Sequence, residues 1–289
     1  MRIRFTAIVL LFFMTTVLAA MPVSEQDKPV IAVSILPQKF FVERIGGNDV
    51  DTLVLVGPGQ SPHSYEPTPR QLEKLSRSAV WILSGTGFEE TLLEKVRSRF
   101  PGLSVVDGTE GVVFRHIDAH HGDHAHNEDP HSRLGRMPAK LMARHVLEVL
   151  SRVNPDRETV YRTRHDELVA DIDSVFDDLT HKLAPLAGTT VLVYHPAFGY
   201  FLDEFGLQQE AVETGGREPT VRTLAALVEE ARKEQANAIF VQEQFSRDSA
   251  NRIADELGIP VVPLDPLSGD WLENIRRMGN ALESSLIRK

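Results

Sequence analysis

The sequence contains no cysteine, and this absence excludes several kinds of chemistry at once. A chain without thiols forms no disulfide, no thiolate metal site and no covalent intermediate on a catalytic thiol. It also lacks the cysteine that a lipid anchor requires, so we expect an exported form to be released unanchored. Any metal site in this chain must therefore be built from imidazole and oxygen ligands.

Positive charge is scarce: 31 Lys and Arg stand against 41 Asp and Glu, and the formal net charge is −10. A surface with this excess of negative charge repels nucleic acid and anionic membranes. We therefore expect no nucleic-acid partner.

Long hydrophobic runs are also missing, except near the N-terminus. Arg2 and Arg4 precede an uncharged apolar run from Phe5 to Ala20 that ends in small residues. This pattern is typical of a secretory signal peptide and is too short for a membrane span. We expect residues 1–20 to be removed and the mature protein to reside in the periplasm.

The rest of the chain alternates between strand and helix patterns, which predicts an α/β fold with doubly wound parallel sheets. Apolar runs bounded by Gly and Pro predict strands at Pro29–Leu36, Asp51–Val56, Val80–Leu83, Leu103–Val106, Thr190–Tyr194, Gln208–Val212, Ala238–Gln242 and Val261–Leu264. Helices are predicted from Gln38, Thr68, Phe88, Pro138, Phe198, Pro219, Arg247 and Trp271 onward.

One predicted helix is longer than the others. Asn154-Pro155 is a strong helix start, and apolar residues follow at helical spacing without Gly or Pro as far as Pro185. A helix of this length is expected to join two lobes; a coiled-coil dimer is the alternative, and we expect a monomer. The predicted organisation is a first lobe at 28–153, a rigid linking helix at 154–186 and a second lobe at 187–289.

A histidine-rich stretch at residues 116–128 interrupts the alternation of strand and helix patterns. Its apolar residues do not recur at helical or strand spacing. Imidazoles and interleaved carboxylates suit divalent cations, with zinc first. We interpret this stretch as a loop that holds a secondary metal site, with these candidate ligands: His116, His120, His121, His124 and His126.

Three further histidines each adjoin a proline, namely His63, His131 and His195. His63 and His195 fall just beyond predicted strands, and so does Asp265. Ligands of open α/β sheets bind outside the carboxyl ends of the strands. Three imidazoles and one carboxylate would close a tetrahedral zinc shell. Glu66 and Glu243 are either solvated or able to accept the second N–H of a ligand histidine.

The chain resembles the periplasmic zinc-binding proteins of ABC transporters, the ZnuA type of the zinc and manganese solute-binding family (cluster A-I). The resemblance rests on these segments, in the family's order: Ser61–Pro69, Asp129–His131, Tyr194–Phe201, Glu218–Thr220, Ala238–Ser246 and Leu264–Leu267. It implies that His63, His131 and His195 ligate a metal between two lobes, with Asp265 at the fourth position. It also implies delivery of Zn²⁺ to an ABC permease in the inner membrane.

The chain departs from the family pattern after its second histidine. The family often has an aromatic residue there, whereas this chain continues Ser132-Arg133-Leu134-Gly135. Three imidazoles favour zinc over manganese, because harder oxygen-rich sites suit manganese. The alternatives are a manganese- or iron-binding member of the same family, a periplasmic metal buffer, and a zinc hydrolase. We expect a non-enzymatic protein, since no His-Glu-x-x-His segment occurs.

Overall fold

A computed structural model describes residues 28–116, 128–213, 225, 228–229, 231–234, 236–245 and 247–286. The predicted signal peptide lies outside the described residues, as does most of the histidine-rich stretch, including His120, His121, His124 and His126. None of the helices in the described part of the chain has both the length and the hydropathy needed to cross a membrane.

The first lobe is a four-stranded, fully parallel sheet flanked by helices. Its strands are β1 (Val30–Ile35), β2 (Asp51–Val56), β3 (Val80–Leu83) and β4 (Ser104–Asp107), in the spatial order β2-β1-β3-β4. Its helices are α1 (Leu36–Gly46), α2 (Pro69–Ser76), α3 (Gly87–Arg99) and α4 (Arg136–Val153). Strand β1 is central and reads as a nearly continuous apolar run because both of its faces are covered.

The second lobe repeats this plan after the long helix α5 (Glu158–Leu183). Its strands are β5 (Thr190–Val193), β6 (Gln208–Ala211), β7 (Ile239–Val241) and β8 (Val261–Pro263), again parallel and in the order β6-β5-β7-β8. The accompanying helices in the described residues are α6 (Gly199–Asp203), α7 (Arg247–Leu257) and α8 (Trp271–Leu286). The predicted fold class of two doubly wound lobes and one long helix is confirmed.

Helix α5 has 26 residues and is therefore about 39 Å long. The apolar positions at helical spacing form one buried stripe: Tyr161, Leu168, Ile172, Val175, Phe176, Leu179 and Leu183. This stripe packs against α1 and α4 of the first lobe and against the C-terminal helix α8. The largest hydrophobic cluster consequently contains residues of both sheets and of α5.

The turn after β3 is fixed by a buried carboxylate. Glu89, in the first turn of α3, accepts hydrogen bonds from the backbone N–H groups of Ser84, Gly85 and Thr86, at 2.8–3.1 Å. Burial raises the pKa of Glu89, and these hydrogen bonds oppose that effect. The result is a rigid turn at the carboxyl edge of the first sheet, where Thr86 faces the cavity described next.

Candidate metal centre

The three proline-adjacent histidines meet in a cavity of about 140 Å³ between the two sheets. His63 lies on a short 3-10 turn (Pro62–Ser64) after β2, and His195 lies two residues beyond β5. His131 lies directly before the short 3-10 turn that leads into α4. The strand ends of the two parallel sheets therefore face each other across the cavity, as expected for ligand sites of this fold.

The imidazoles approach one another through their Nε2 atoms. The Nε2 atoms of His63 and His195 are 3.1 Å apart, and those of His195 and His131 are 3.3 Å apart. Zinc–nitrogen bonds of 2.0–2.1 Å in a tetrahedral shell place neighbouring nitrogens about 3.3 Å apart. Two of the three nitrogen pairs thus have the spacing of corners in a tetrahedral zinc shell, and all three ligand atoms lie within 4.8 Å of one another.

Two of the three rings are oriented by buried carboxylates. The Nδ1 atom of His131 lies 2.7 Å from Oδ1 of Asp129, and the Nδ1 atom of His195 lies 2.7 Å from Oε2 of Glu213. A proton on each Nδ1 would donate to the carboxylate and leave the Nε2 lone pair directed at the cavity. Phe245 stacks on the His195 ring, with centroids 4.8 Å apart, and limits its rotation.

Burial keeps His63 and His131 neutral at pH 7. Burial lowers the pKa of His131 to about 4. Burial also lowers the pKa of His63, and the neighbouring His195 contributes to the same effect. Although burial acts in the opposite sense, hydrogen bonds from His131 and Arg115 hold the pKa of Asp129 below its usual value. Neutral imidazoles backed by ionised carboxylates are the form that binds a divalent cation.

Asp265, the predicted fourth ligand, does not join this group in the structure. It follows β8, as predicted, but its Oδ1 accepts hydrogen bonds from the backbone N–H of Leu267 at 2.9 Å and from Gln244 Nε2 at 3.3 Å. The residue lines a neighbouring cavity of about 270 Å³ together with Glu243. Its role as a ligand stays a prediction.

A family model described as "Zinc-uptake complex component A periplasmic", ZnuA, matches residues 31–285 of the chain. The match covers nearly all of both lobes. The chain belongs to the ZnuA family.

Solved ZnuA structures agree with this assignment. A crystal structure of ZnuA shares 32% identity, covers 90% of this chain and 99% of that chain, and superposes with a TM-score of 0.83. A ZnuA deletion mutant with zinc bound shares 31% identity, covers 91% of this chain and 100% of that chain, and has a TM-score of 0.84. This ZnuA-family chain is therefore a metal-binding solute-binding protein.

A curated relative is also named for zinc. The zinc-binding protein AdcA of Streptococcus pyogenes serotype M1 is 23% identical over 91% of this chain, which spans 55% of that protein. A manganese-bound periplasmic metal binding protein from Candidatus Liberibacter asiaticus shares 17% identity, covers 90% of this chain and 100% of that chain, and has a TM-score of 0.79. That likeness establishes the fold alone.

The carboxylates that orient the ligand histidines were not recognised from the sequence. Glu66 and Glu243, which the sequence offered for this role, are exposed, and the structure assigns it to Asp129 and Glu213. Asp129 carries a local signal, because it precedes His131 by two residues. Glu213 has no such local signal. Its place near His195 depends on the pairing of β6, which it follows, with β5.

The segment that carries His131 is braced from both lobes. The guanidinium of Arg115 contacts Asp129 Oδ2 at 3.1 Å and also pairs with Asp203 of α6. The hydroxyl of Tyr200, also on α6, donates to the carbonyl oxygen of Asp129 at 3.1 Å. His116 forms an isolated antiparallel bridge with Glu128 immediately beyond this brace. His116 is thus the base of the histidine-rich stretch and lies outside the group of three histidines.

Replacing the supporting carboxylates should weaken zinc binding without removing a ligand. We expect Asp129→Asn and Glu213→Gln each to lower zinc affinity about 10- to 100-fold, because a neutral amide replaces the charged acceptor and fixes the tautomer and orientation of the ligand histidine less firmly. Competition titration against a chromophoric zinc chelator measures the change.

The matched control for this prediction is Asp166→Asn. Asp166 contacts Nδ1 of His165 at 2.8 Å, a similar pair on the surface of α5 and remote from the cavity. This variant should bind zinc as the wild type does. Equal affinities for Asp129→Asn, Glu213→Gln and the control would show that the carboxylates do not support the metal ligands.

Proposed function

We propose that this ZnuA-family protein captures Zn²⁺ in the periplasm, using His63, His131 and His195, and delivers it to an ABC-type permease in the inner membrane. The observation that carries the proposal is the convergence of three histidine nitrogens within 4.8 Å, with the Nε2 atom of His195 at 3.1 and 3.3 Å from those of His63 and His131. These two distances are close to the edge length of a tetrahedral zinc shell. Export through residues 1–20 and a monomeric state complete the proposal.

The donor set supports zinc over manganese. Three neutral imidazoles are borderline ligands that suit zinc, whereas manganese prefers carboxylate and other oxygen ligands. Asp265 is the carboxylate predicted at the fourth corner, and it is held by Leu267 and Gln244 on the side of the neighbouring cavity. The relatives support the same preference, because a ZnuA structure with zinc bound and the zinc-binding protein AdcA are among the similar proteins.

The exposure of the ligands suits a carrier that must release its cargo. His131 and His195 are 7% and 5% exposed and are held by buried carboxylates, whereas His63 lies on an exposed turn. The backbone N–H of His63 donates to the hydroxyl of Ser61 at 3.3 Å. We propose that the ion enters and leaves on the His63 side of the cavity.

Metal analysis tests the proposal directly. Protein purified from a periplasmic extract without added metal should contain one equivalent of zinc, and zinc should displace manganese in competition. A preference for manganese or iron would support the alternative member of the same family. Several weak equivalents without a tight one would support a metal buffer.

Deletion of residues 117–127 in the histidine-rich stretch separates a carrier from a buffer. Ordering a loop around a metal costs about 1–2 kcal/mol of backbone entropy per residue fixed, whereas ligands held at strand ends avoid most of that cost. We expect a variant that lacks residues 117–127 and retains Asp129-Pro130-His131 to keep one tight zinc equivalent and to lose any weaker ones. Calorimetry counts both classes; loss of the tight equivalent would contradict the proposed site.

A further inference from the structure

A buried arginine forms part of the wall of the cavity that contains the three histidines. Arg133 is 8% exposed and lies two residues after His131. Its Nε donates to the carbonyl oxygen of Pro266 at 3.2 Å. Its Nη1 is shielded from solvent and has no hydrogen-bond partner among the described residues. A buried cation with an unused donor is unfavourable unless an anionic partner reaches it.

The carboxylates whose charge acts on Arg133 are committed to other groups. These carboxylates are Asp129 and Asp265. Asp129 already accepts hydrogen bonds from His131 and Arg115. Asp265 already accepts hydrogen bonds from Leu267 and Gln244. Neither accepts a hydrogen bond from Arg133 among the described residues.

Metal binding increases the need for an anion at this place. Three neutral imidazoles bring no charge of their own to the ion beside the guanidinium, and they fill only three corners of a tetrahedral shell. Asp129 and Glu213 offset the charge of the ion only from behind the histidine rings. Like charges at close range in a poorly solvated site repel strongly. Guanidinium groups match carboxylate and carbonate oxygens through paired N–H donors, so one small oxyanion can contact both cations.

We propose that a small carboxylate or carbonate anion from solution binds in this cavity together with the metal. One oxygen occupies the corner of the metal shell that the histidines leave open, and another accepts a hydrogen bond from Arg133. The cavity of about 140 Å³ has room for both, since one water needs only about 10–15 Å³ measured in the same way. The inference rests on the proposed function, because it requires metal on the three histidines.

The test measures zinc affinity by chelator competition at constant ionic strength while acetate replaces nitrate. Acetate in solution complexes zinc and therefore lowers the apparent affinity of an ordinary site. We expect the opposite sign for the wild type: a saturable rise of about tenfold or more, the size expected of a charge-assisted hydrogen bond.

Substitutions at Arg133 should abolish or reduce this rise of zinc affinity in acetate. Arg133→Gln removes the guanidinium donors, and its zinc affinity in nitrate serves as the reference for the same variant in acetate. In acetate the same variant should show no rise. Arg133→Lys keeps the charge but loses the paired donors, and it should retain only part of the acetate effect.

Asp265→Asn identifies the source of the anion. If the oxyanion comes from solution, the acetate effect persists in this variant. An acetate effect that appears only in Asp265→Asn would show that the side chain fills the corner in the wild type, and it would overturn the proposal.

A measurement on the wild type keeps the proposal falsifiable if the Arg133 variants do not fold. In Co²⁺-loaded protein, the carboxyl carbon of [¹³C]acetate should show saturable paramagnetic relaxation from direct contact with the metal. Tight zinc binding with no acetate effect and no such relaxation would overturn this inference and leave the proposed function intact. A wild type that binds no zinc in either buffer would overturn both.

Discussion

Replacing His195 with alanine is expected to weaken zinc binding roughly 100- to 1,000-fold. About 10–16 kcal/mol of binding free energy in a structural zinc site is shared among about four ligands, so each contributes several kcal/mol. His195 is the central ligand of the group, since its Nε2 lies 3.1 Å from that of His63 and 3.3 Å from that of His131. We expect losses of the same order for His63→Ala and His131→Ala, measured by chelator competition.

The chain offers a matched control among its other histidines. His181 lies in the last turn of α5, is exposed and does not line the cavity. His181→Ala should therefore bind zinc with wild-type affinity. His145 serves less well, because it is buried in α4 and its Nδ1 lies 3.2 Å from the carbonyl oxygen of Gly108. Unchanged affinity in His195→Ala would show that the metal binds elsewhere.

The second large effect is expected on stability, at Trp271. This residue begins α8, is 1% exposed, and packs against Phe41 of the first lobe, with ring centroids 5.1 Å apart. It also packs against Phe176 of α5, and its Nε1 donates to the carbonyl oxygen of Arg133 at 3.0 Å. Trp271→Ala should lower the free energy of unfolding by about 3–5 kcal/mol, through lost burial and the cavity left behind.

Urea unfolding followed by far-UV circular dichroism measures this loss without relying on the fluorescence that the substitution removes. The control is Met137→Ala, since Met137 is 58% exposed on α4 and the change should stay within about 0.5 kcal/mol. A loss below about 1 kcal/mol for Trp271→Ala would show that α8 contributes little to holding the long helix and the first lobe together.

Helices α5 and α8 make the two lobes share one hydrophobic core. The sequence pattern predicts two lobes, each with its own set of alternating strands and helices, joined by one long helix. In the structure the largest cluster runs through both sheets and α5, and Trp271 of the second half contacts Phe41 of the first. A shared core disfavours wide opening of the cleft, so we expect metal exchange to involve small local movements.

The local pattern of the sequence was sufficient to predict the eight strands and the longer helices that the structure describes. Buried parallel strands read as apolar runs, and the apolar period of α5 is uninterrupted over 26 residues. The same pattern marks where each strand ends. It therefore predicts that His63 and His195 lie at the carboxyl edges of the two sheets, as they do in the structure. His131 was singled out for its flanking proline, and the structure brings it to the other two.

Tertiary structure alone decided how those residues are used. Glu213, which contacts Nδ1 of His195, is 18 residues away from it in sequence. The two residues meet because β6 pairs with β5 in parallel. The side chain of Asp265 turns to Leu267 and Gln244, although its place after β8 is the one that the sequence predicts. Arg133 is buried beside the histidines because the second lobe closes over it. Sequence periodicity fixes which face of an element is apolar, whereas side-chain partners depend on which elements pack together, and that is decided by the assembled core.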